Sequence, residues 1–161
     1  VKLVRAMPNT PAMIQMGATG LYATAGVSEA EQQLAQQVMS AAGLVLWVDD
    51  EDLLHAVTAI SGSAPAYFFY MLENMIATGE KLGLTQTQAT ALAMQTALGS
   101  AQMALTSHDT PAELRRKVTS PNGTTQAAIE VMDAKKMHQI IADAMLACEQ
   151  RSRELSQAFG K

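Results

Sequence analysis

V-T-S-P-N-G-T-T, Val118 to Thr125, is the stretch around which the rest of the chain is arranged. Pro121 fixes its own φ and pushes Ser120 out of the helical region. Asn122 and Gly123 are the residue types that best tolerate a left-handed backbone. A helix must therefore stop before Ser120, and the chain must turn sharply. A new helical spacing opens at once, with Ala127, Ala128, Val131 and Met132 on one side. The amides of Gly123, Thr124 and Thr125 then sit at or beside a helix N-terminus. Such amides have no partner within the helix, and the dipole favours an anion beside them. Neither Thr is followed three residues later by Glu or Gln, so no capping box is expected to close this end. One reading is an ordinary turn with a Thr N-cap. The other is a cradle for a small carboxylate or phosphate, flanked by the hydroxyls of Ser120 and Thr125.

Working outward, the spacing predicts helices over 51–61, 65–82, 86–105, 111–118, 124–133 and 135–158. Thr85 with Gln88 and Thr110 with Glu113 supply capping boxes, the second with Pro111 at the first helical position. The last helix carries Met137, Ile141, Met145, Cys148, Leu155 and Phe159 near one face. Asp49, Asp50, Glu51 and Asp52 precede the first of these helices, where the dipole favours acidic residues.

The first 48 residues read differently. Leu3 to Met7 is a short apolar run that ends at Pro8 and predicts a buried strand. The loop P-N-T-P follows. Ala18 to Thr24 and Leu44 to Val48 are two more strand candidates. Between them, Ser28 and Glu31 form a capping box, and Gly43 fits the position just past the helix end. Strand, strand, helix, strand is the pattern of the tail of an α/β sheet, with Trp47 packing at its edge.

The totals agree with a helix-rich, core-forming chain. Of 161 residues, 48% are hydrophobic and 16% charged, so a core can form and disorder is excluded. A net charge of -4 argues against a nucleic-acid partner. A single Cys rules out an internal disulfide and suits a reducing compartment. No uninterrupted apolar run is long enough to span a bilayer. Val1 is not an initiator residue and directly precedes an apparent strand, so the chain is expected to be part of a longer one.

Ser61 to Tyr67, S-G-S-A-P-A-Y, is the second notable stretch. Pro65 denies a backbone donor and kinks or restarts the helix. Gly62 lets another group approach the backbone closely. The pattern fits a close helix crossing. It also fits a flat surface for a ring, with Ser61 or Ser63 as hydrogen-bond donor. His55, His108 and His138 have no Cys or His at metal-ligand spacing, so no metal site is expected. No G-x-G-x-x-G fingerprint, Walker loop or nucleophile elbow occurs.

R-A-M-P-N-T-P (Arg5 to Pro11), A-V-T-A-I-S-G-S-A-P-A-Y (Ala56 to Tyr67) and V-T-S-P-N-G-T-T occur in this order. Together they closely resemble the carboxyl-terminal part of the pyrroline-5-carboxylate reductase family, over essentially all 161 residues. The resemblance implies a mainly α fold. Residues 1–48 would be the last strands and helix of an α/β Rossmann domain, and 49–161 an all-helical dimerisation and substrate domain. It implies NADPH or NADH as cofactor, a cyclic imine as substrate with L-proline as product, a homodimer or higher assembly, and a cytoplasmic location. No nucleic acid or membrane partner is implied. By position, the amides of Thr124 and Thr125 and the turn at Gly123 would hold the substrate carboxylate. Thr125 would be catalytic, its hydroxyl on the imine nitrogen, with Ser120 supporting the turn. Glu51 would lie near substrate. Ala6, Met7 and Pro8, with Ser61 and Ser63, would face the nicotinamide. The cofactor would carry the hydride, and the protein would hold two rings face to face. Asn122 stands where the family commonly has Gly, and Ala64 where Gly or Ser is frequent.

Two other readings remain open on sequence. A helical dimerisation module without catalysis would explain the missing fingerprint. A related Rossmann-plus-helix hydroxy acid dehydrogenase would need a helical lysine, and the S-G-S-A-P-A-Y region has none.

Overall fold

The structure, a computed structural model, describes residues 1–159. Strand β1 is Val4–Met7, β2 is Gly17–Ala23 and β3 is Gly43–Trp47, with a single 3-10 turn at Thr10–Ile14 after β1. Helix α1 (Glu29–Ser40) joins β2 to β3. The remaining elements are helical: α2 (Leu53–Val57), a π-turn at Thr58–Gly62, α3 (Ala64–Lys81), α4 (Gln86–Thr106), α5 (Pro111–Lys117), α6 (Thr124–Ala134) and α7 (Met137–Phe159). The mainly α class and the three-stranded start both match expectation.

The strands lie in the order β1-β2-β3. β1 pairs antiparallel with β2, and β2 pairs parallel with β3 from Gly17↔Gly43 to Leu21↔Trp47. A parallel neighbour requires a crossover, and α1 supplies it. The capping box at Ser28 and Glu31 forms as expected. The Ser28 backbone N–H, and then its hydroxyl, hold the Glu31 carboxyl down at about 2. Trp47 at the sheet edge donates its indole N–H to Gln36 at 2.8 Å.

Gly43 corrects the sequence reading. The helix ends at Ser40, and Gly43 is the first residue of β3, at φ 139. A Cβ there would lie 2.1 Å from the Gly17 carbonyl oxygen. The parallel pairing of β2 and β3, rather than the helix end, requires glycine at this point.

The chain divides into two compact units. One holds residues 1–68 and the chain from 142 onward; the other is Phe69–Ile141. The division falls inside α3 and α7. In the first unit, β2 lies beneath α2, and Leu21, Leu54, Ala59 and Ala64 are buried. An ion pair ties α7 to the start of α2: Arg153 meets Asp52, and Glu149, one turn back in α7, holds the same guanidinium. In the second unit, α3 and α4 come close where a Cβ on Gly79 would meet Ala89 at 3.0 Å. Ala89 and Ala93 are the buried apolar positions there. Small residues allow this close approach, as the alanine-rich composition anticipated.

Much of the apolar surface has no cover among the described residues. Phe68, Phe69 and Tyr70 are each more than 60% exposed, and Leu98, Met103 and Leu105 more than 50%. The expected apolar face of α6, with Ala127, Ala128, Val131 and Met132, is exposed too. The half-buried α6 residues are Thr125, Gln126 and Ile129.

Candidate functional site

The turn from Ser120 to Thr125 lies wholly in the second unit. α5 stops at Lys117, and the Thr119 hydroxyl donates to the Arg115 carbonyl at 2.6 Å, which helps close the helix end. Ser120, Pro121, Asn122 and Gly123 then form a β-turn, closed by Gly123 N–H donating to Ser120 O at 3.0 Å. Proline at the second position and a left-handed residue at the third are the requirements of a type II turn. Asn122 takes the left-handed place, at φ 58. It fits without a glycine, as its short polar side chain allows.

Gly123 is extended, at φ -87 and ψ 170, and is the N-cap of α6. Its amide is spent on the turn, which corrects the expectation that it is free for a ligand. Glycine offers no side chain to cap the helix, and no side-chain cap is present. The first helical bond runs from Ala127 N–H to Gly123 O. Thr124 and Thr125 thus begin α6 with amides that have no side-chain acceptor among the described residues. The hydroxyls of Ser120 and Thr125 are likewise without a hydrogen-bond partner among the described residues. Gln126 braces the turn. Its side chain accepts from Asn122 N–H at 2.8 Å and donates to Glu130 at 2.6 Å. With Gly123 as N-cap, Gln126 is the N3 residue, but it takes the N–H of the residue before the cap, so no capping box forms, as expected. The bond stiffens the turn from outside and leaves the Thr124 and Thr125 amides open.

The second candidate cluster lies in the first unit. The helix that begins as α2 changes to π geometry at Thr58–Gly62, with Ser63 N–H donating to Thr58 O at 2.8 Å. A continuous helix over 51–61 was expected. The small residues give this stretch little side-chain packing to resist the wider turn, and π-turns recur at functional sites. α3 restarts at Ala64 with Pro65 in its first turn, as the sequence suggested. Ala64 is 7% exposed, so its methyl is packed into the core.

The two serines are engaged. Ser61 donates its hydroxyl to Val57 O at 2.9 Å, so that proton is not open to a ring. Ser63 accepts from the Cys148 thiol at 3.2 Å. The group that approaches Gly62 is Met7: a Cβ on Gly62 would stand 3.5 Å from its sulfur. Asn9 donates to Ser61 O at 3.2 Å and accepts from Ala18 N–H at 2.9 Å. The structure therefore brings the end of β1 together with Ser61 to Ser63. Ala6 and Pro8 are exposed beside this junction. Sequence reasoning passed over Asn9. Its signal was an Asn at an N-cap position directly before Thr-Pro.

Glu51 pairs with Arg5 at 2.6 Å, near the start of α2. The Tyr67 hydroxyl is enclosed and makes no hydrogen bond among the described residues, with the Cys148 thiol beside it. Burial, then that thiol, push its pKa up to about 12. Among the described residues no cluster of His, Cys, Asp or Glu could hold a metal. Nor is any described helix long and apolar enough to cross a membrane. A hollow of about 690 Å³ lies between α4 and α5. Met103, Leu114 and Val118 line it, and it does not include Ser120 to Thr125.

Comparison with known proteins agrees with this arrangement. The family model described as pyrroline-5-carboxylate reductase dimerisation matches residues 51–155. The chain is 54% identical over 159 residues to the pyrroline-5-carboxylate reductase of Pseudomonas aeruginosa, covering 99% of this chain and 58% of that protein. It is 44% identical to the enzyme of Haemophilus influenzae, covering 98% of this chain and 58% of that one. A solved reductase structure from Coxiella burnetii superposes with a TM-score of 0.92 at 44% identity, over 96% of this chain and 57% of the other. The Plasmodium falciparum pyrroline carboxylate reductase, solved with NADP bound, superposes with a TM-score of 0.90 at 26% identity, over 95% of this chain and 60% of that one. The chain belongs to the pyrroline-5-carboxylate reductase family. It spans 58% of the length of the first curated relatives it matches.

Proposed function

We propose that the protein to which this chain belongs reduces pyrroline-5-carboxylate to L-proline with NADPH or NADH. The observation that carries this reading is the start of α6. A glycine N-cap leaves the Thr124 and Thr125 amides without a side-chain acceptor among the described residues, with the Thr125 hydroxyl unspent beside them. These groups match the substrate's two polar ends. The amides and the helix dipole hold its carboxylate. The Thr125 hydroxyl donates to, or accepts from, the ring nitrogen as that nitrogen gains a proton. Thr125 is the catalytic residue in this reading. Ser120 and Gly123 shape the seat, Ser120 through its carbonyl and Gly123 by leaving the cap empty.

NADPH or NADH, when bound, supplies the hydride. Ala6, Met7 and Pro8 with Ser61 and Ser63 are the residues proposed to face its nicotinamide. Their fit rests on the exposed Ala6 and Pro8 beside the π-turn, and on the Met7 thioether seated over Gly62. Residues 1–48 form the end of the cofactor domain in this reading, and 49–161 the helical domain. Glu51 is proposed to act near substrate, held in place by Arg5. A cytoplasmic location belongs to the same reading, and the single cysteine suits it.

The functional unit is proposed to be a homodimer. Phe68, Phe69 and Met75 on α3, and Leu98, Met103 and Leu105 on α4, are exposed, and a second copy would cover them. Sedimentation at micromolar concentration should give twice the monomer mass; a well-folded monomer contradicts the dimer. For the reaction, the complete enzyme is mixed with pyrroline-5-carboxylate and NADPH or NADH. Loss of reduced-cofactor absorbance with formation of proline is expected. No turnover with either cofactor contradicts the function.

A further inference from the structure

The π-turn creates a polar problem, and Asn9 is placed to solve it. In a continuing helix the Ser61 carbonyl would accept from the residue four positions on. That residue is Pro65, which has no N–H. The next donor, Ala66 N–H, goes to Ser63 O at 3.1 Å, and Ser63 N–H goes back to Thr58 O. The half-buried Ser61 carbonyl thus receives neither the four-on nor the five-on donor of a helix. Asn9 Nδ2 supplies one at 3.2 Å. The other end of the same carboxamide accepts Ala18 N–H at 2.9 Å. A backbone N–H can only donate and a carbonyl can only accept, so these partners fix which way the amide faces.

Asn9 is also the N-cap of the 3-10 turn at Thr10–Ile14, and an N-cap Asn usually accepts a bond from its own helix. Here it makes no such bond. Its side chain is committed instead to two other elements, β2 and the π-turn. Met7, two residues earlier, rests on Gly62 of the same turn.

We propose that Asn9 is a positioning residue: by joining Ala18 to Ser61 it locks the loop after β1 onto the π-turn, which fixes the spacing between Ala6 to Pro8 and Ser61 to Ser63. This rests on the reading given above, in which those residues face the nicotinamide. Both ends of the Asn9 carboxamide are spent on protein partners. It acts through the backbone on either side.

The test uses the complete enzyme with Asn9→Asp and Asn9→Ala. Asp keeps an acceptor for Ala18 N–H but sets a carboxylate oxygen against the Ser61 carbonyl, so it opens one side of the clamp. Ala opens both. Hydrogen exchange at the Ser63 amide reads the π-turn without reference to activity, and is expected to quicken about tenfold or more in Asn9→Asp. kcat is expected to fall about 10- to 100-fold, the size of effect that a displacement on the order of 1 Å produces. KM for pyrroline-5-carboxylate should stay within about twofold, because the carboxylate seat at Thr124 and Thr125 is untouched. A residue of purely structural importance would lower the melting temperature and leave kcat per folded molecule unchanged, and that result overturns the proposal. Unchanged exchange at Ser63 overturns the clamp itself. A parent enzyme that reduces no pyrroline-5-carboxylate overturns the functional reading and the positioning role together. The exchange measurement then still decides whether the clamp exists.

Discussion

The chain turns twice on a serine and a proline, at Ser61 to Tyr67 and at Ser120 to Thr125, and the two prolines act differently. Pro65 removes a donor, so the Ser61 carbonyl must find one elsewhere, and it finds Asn9. Pro121 presets φ for a turn that closes on itself through Gly123 N–H. At the first turn the polar groups are consumed: Ser61 donates to Val57, Ser63 accepts from Cys148, and Gly62 is covered by Met7. At the second, the Thr124 and Thr125 amides and two hydroxyls are left over. Similar small, polar residues thus build a braced wall in one place and an open seat in the other. A ligand's polar groups are best met where the protein has not already met its own.

That contrast can be broken most severely at Thr125. In the complete enzyme, Thr125→Ala should lower kcat about 100- to 1,000-fold, as loss of one donor to a reacting group does. Cofactor affinity should stay within about twofold. An unchanged kcat removes Thr125 from the mechanism and makes the second turn as inert as the first.

The two glycines give a smaller, paired test. At Gly123 a Cβ would stand 3.1 Å from the Ser120 carbonyl oxygen, tight enough to distort the turn. At Gly62 it would meet the Met7 sulfur at 3.5 Å, an ordinary contact. Gly123→Ala should cost about 1 kcal/mol of stability and weaken proline binding several-fold. Gly62→Ala should cost less and leave proline binding unchanged. Denaturant melts and proline titrations on both variants decide it; equal effects on proline binding would erase the distinction.

The smallest effect is expected at Tyr67, where the wall holds one hydroxyl without a partner. Tyr67→Phe removes a buried group that makes no hydrogen bond. Its stability should be unchanged or raised by up to about 1 kcal/mol. A loss above about 1 kcal/mol would show that the hydroxyl has a partner in the working enzyme.

The sequence made the elements legible and left their hydrogen-bond balance hidden. Capping boxes at Ser28, Thr85 and Thr110 announce three helices, and all three form. These signals are local, so a single sequence shows them. The π-turn at Thr58–Gly62 is not announced, because its residues suit an α-helix equally well and the partners it meets, Met7 and Asn9, lie some fifty residues away. Gly43 looks like a helix cap until β2 is laid beside it. Gly123 looks like a source of free amides until the turn closes on Ser120. The Gln126 brace is hidden for a simpler reason: its partner is the Asn122 N–H, one residue before the N-cap, where no capping box would look for it. Lys136, at φ 54 between α6 and α7, carries no sequence signal for a left-handed residue.

The central claim is that the start of α6, and not the π-turn, is where the chain keeps unspent donors for a carboxylate. Backbone amide chemical shifts during titration with L-proline test it directly. Shifts are expected at Thr124 and Thr125. Gly123 should respond weakly, because its N–H is held by Ser120, and Gly62 and Ser63 should not respond. Saturable shifts at Gly62 and Ser63, with Thr124 and Thr125 unmoved at high proline, would contradict the account.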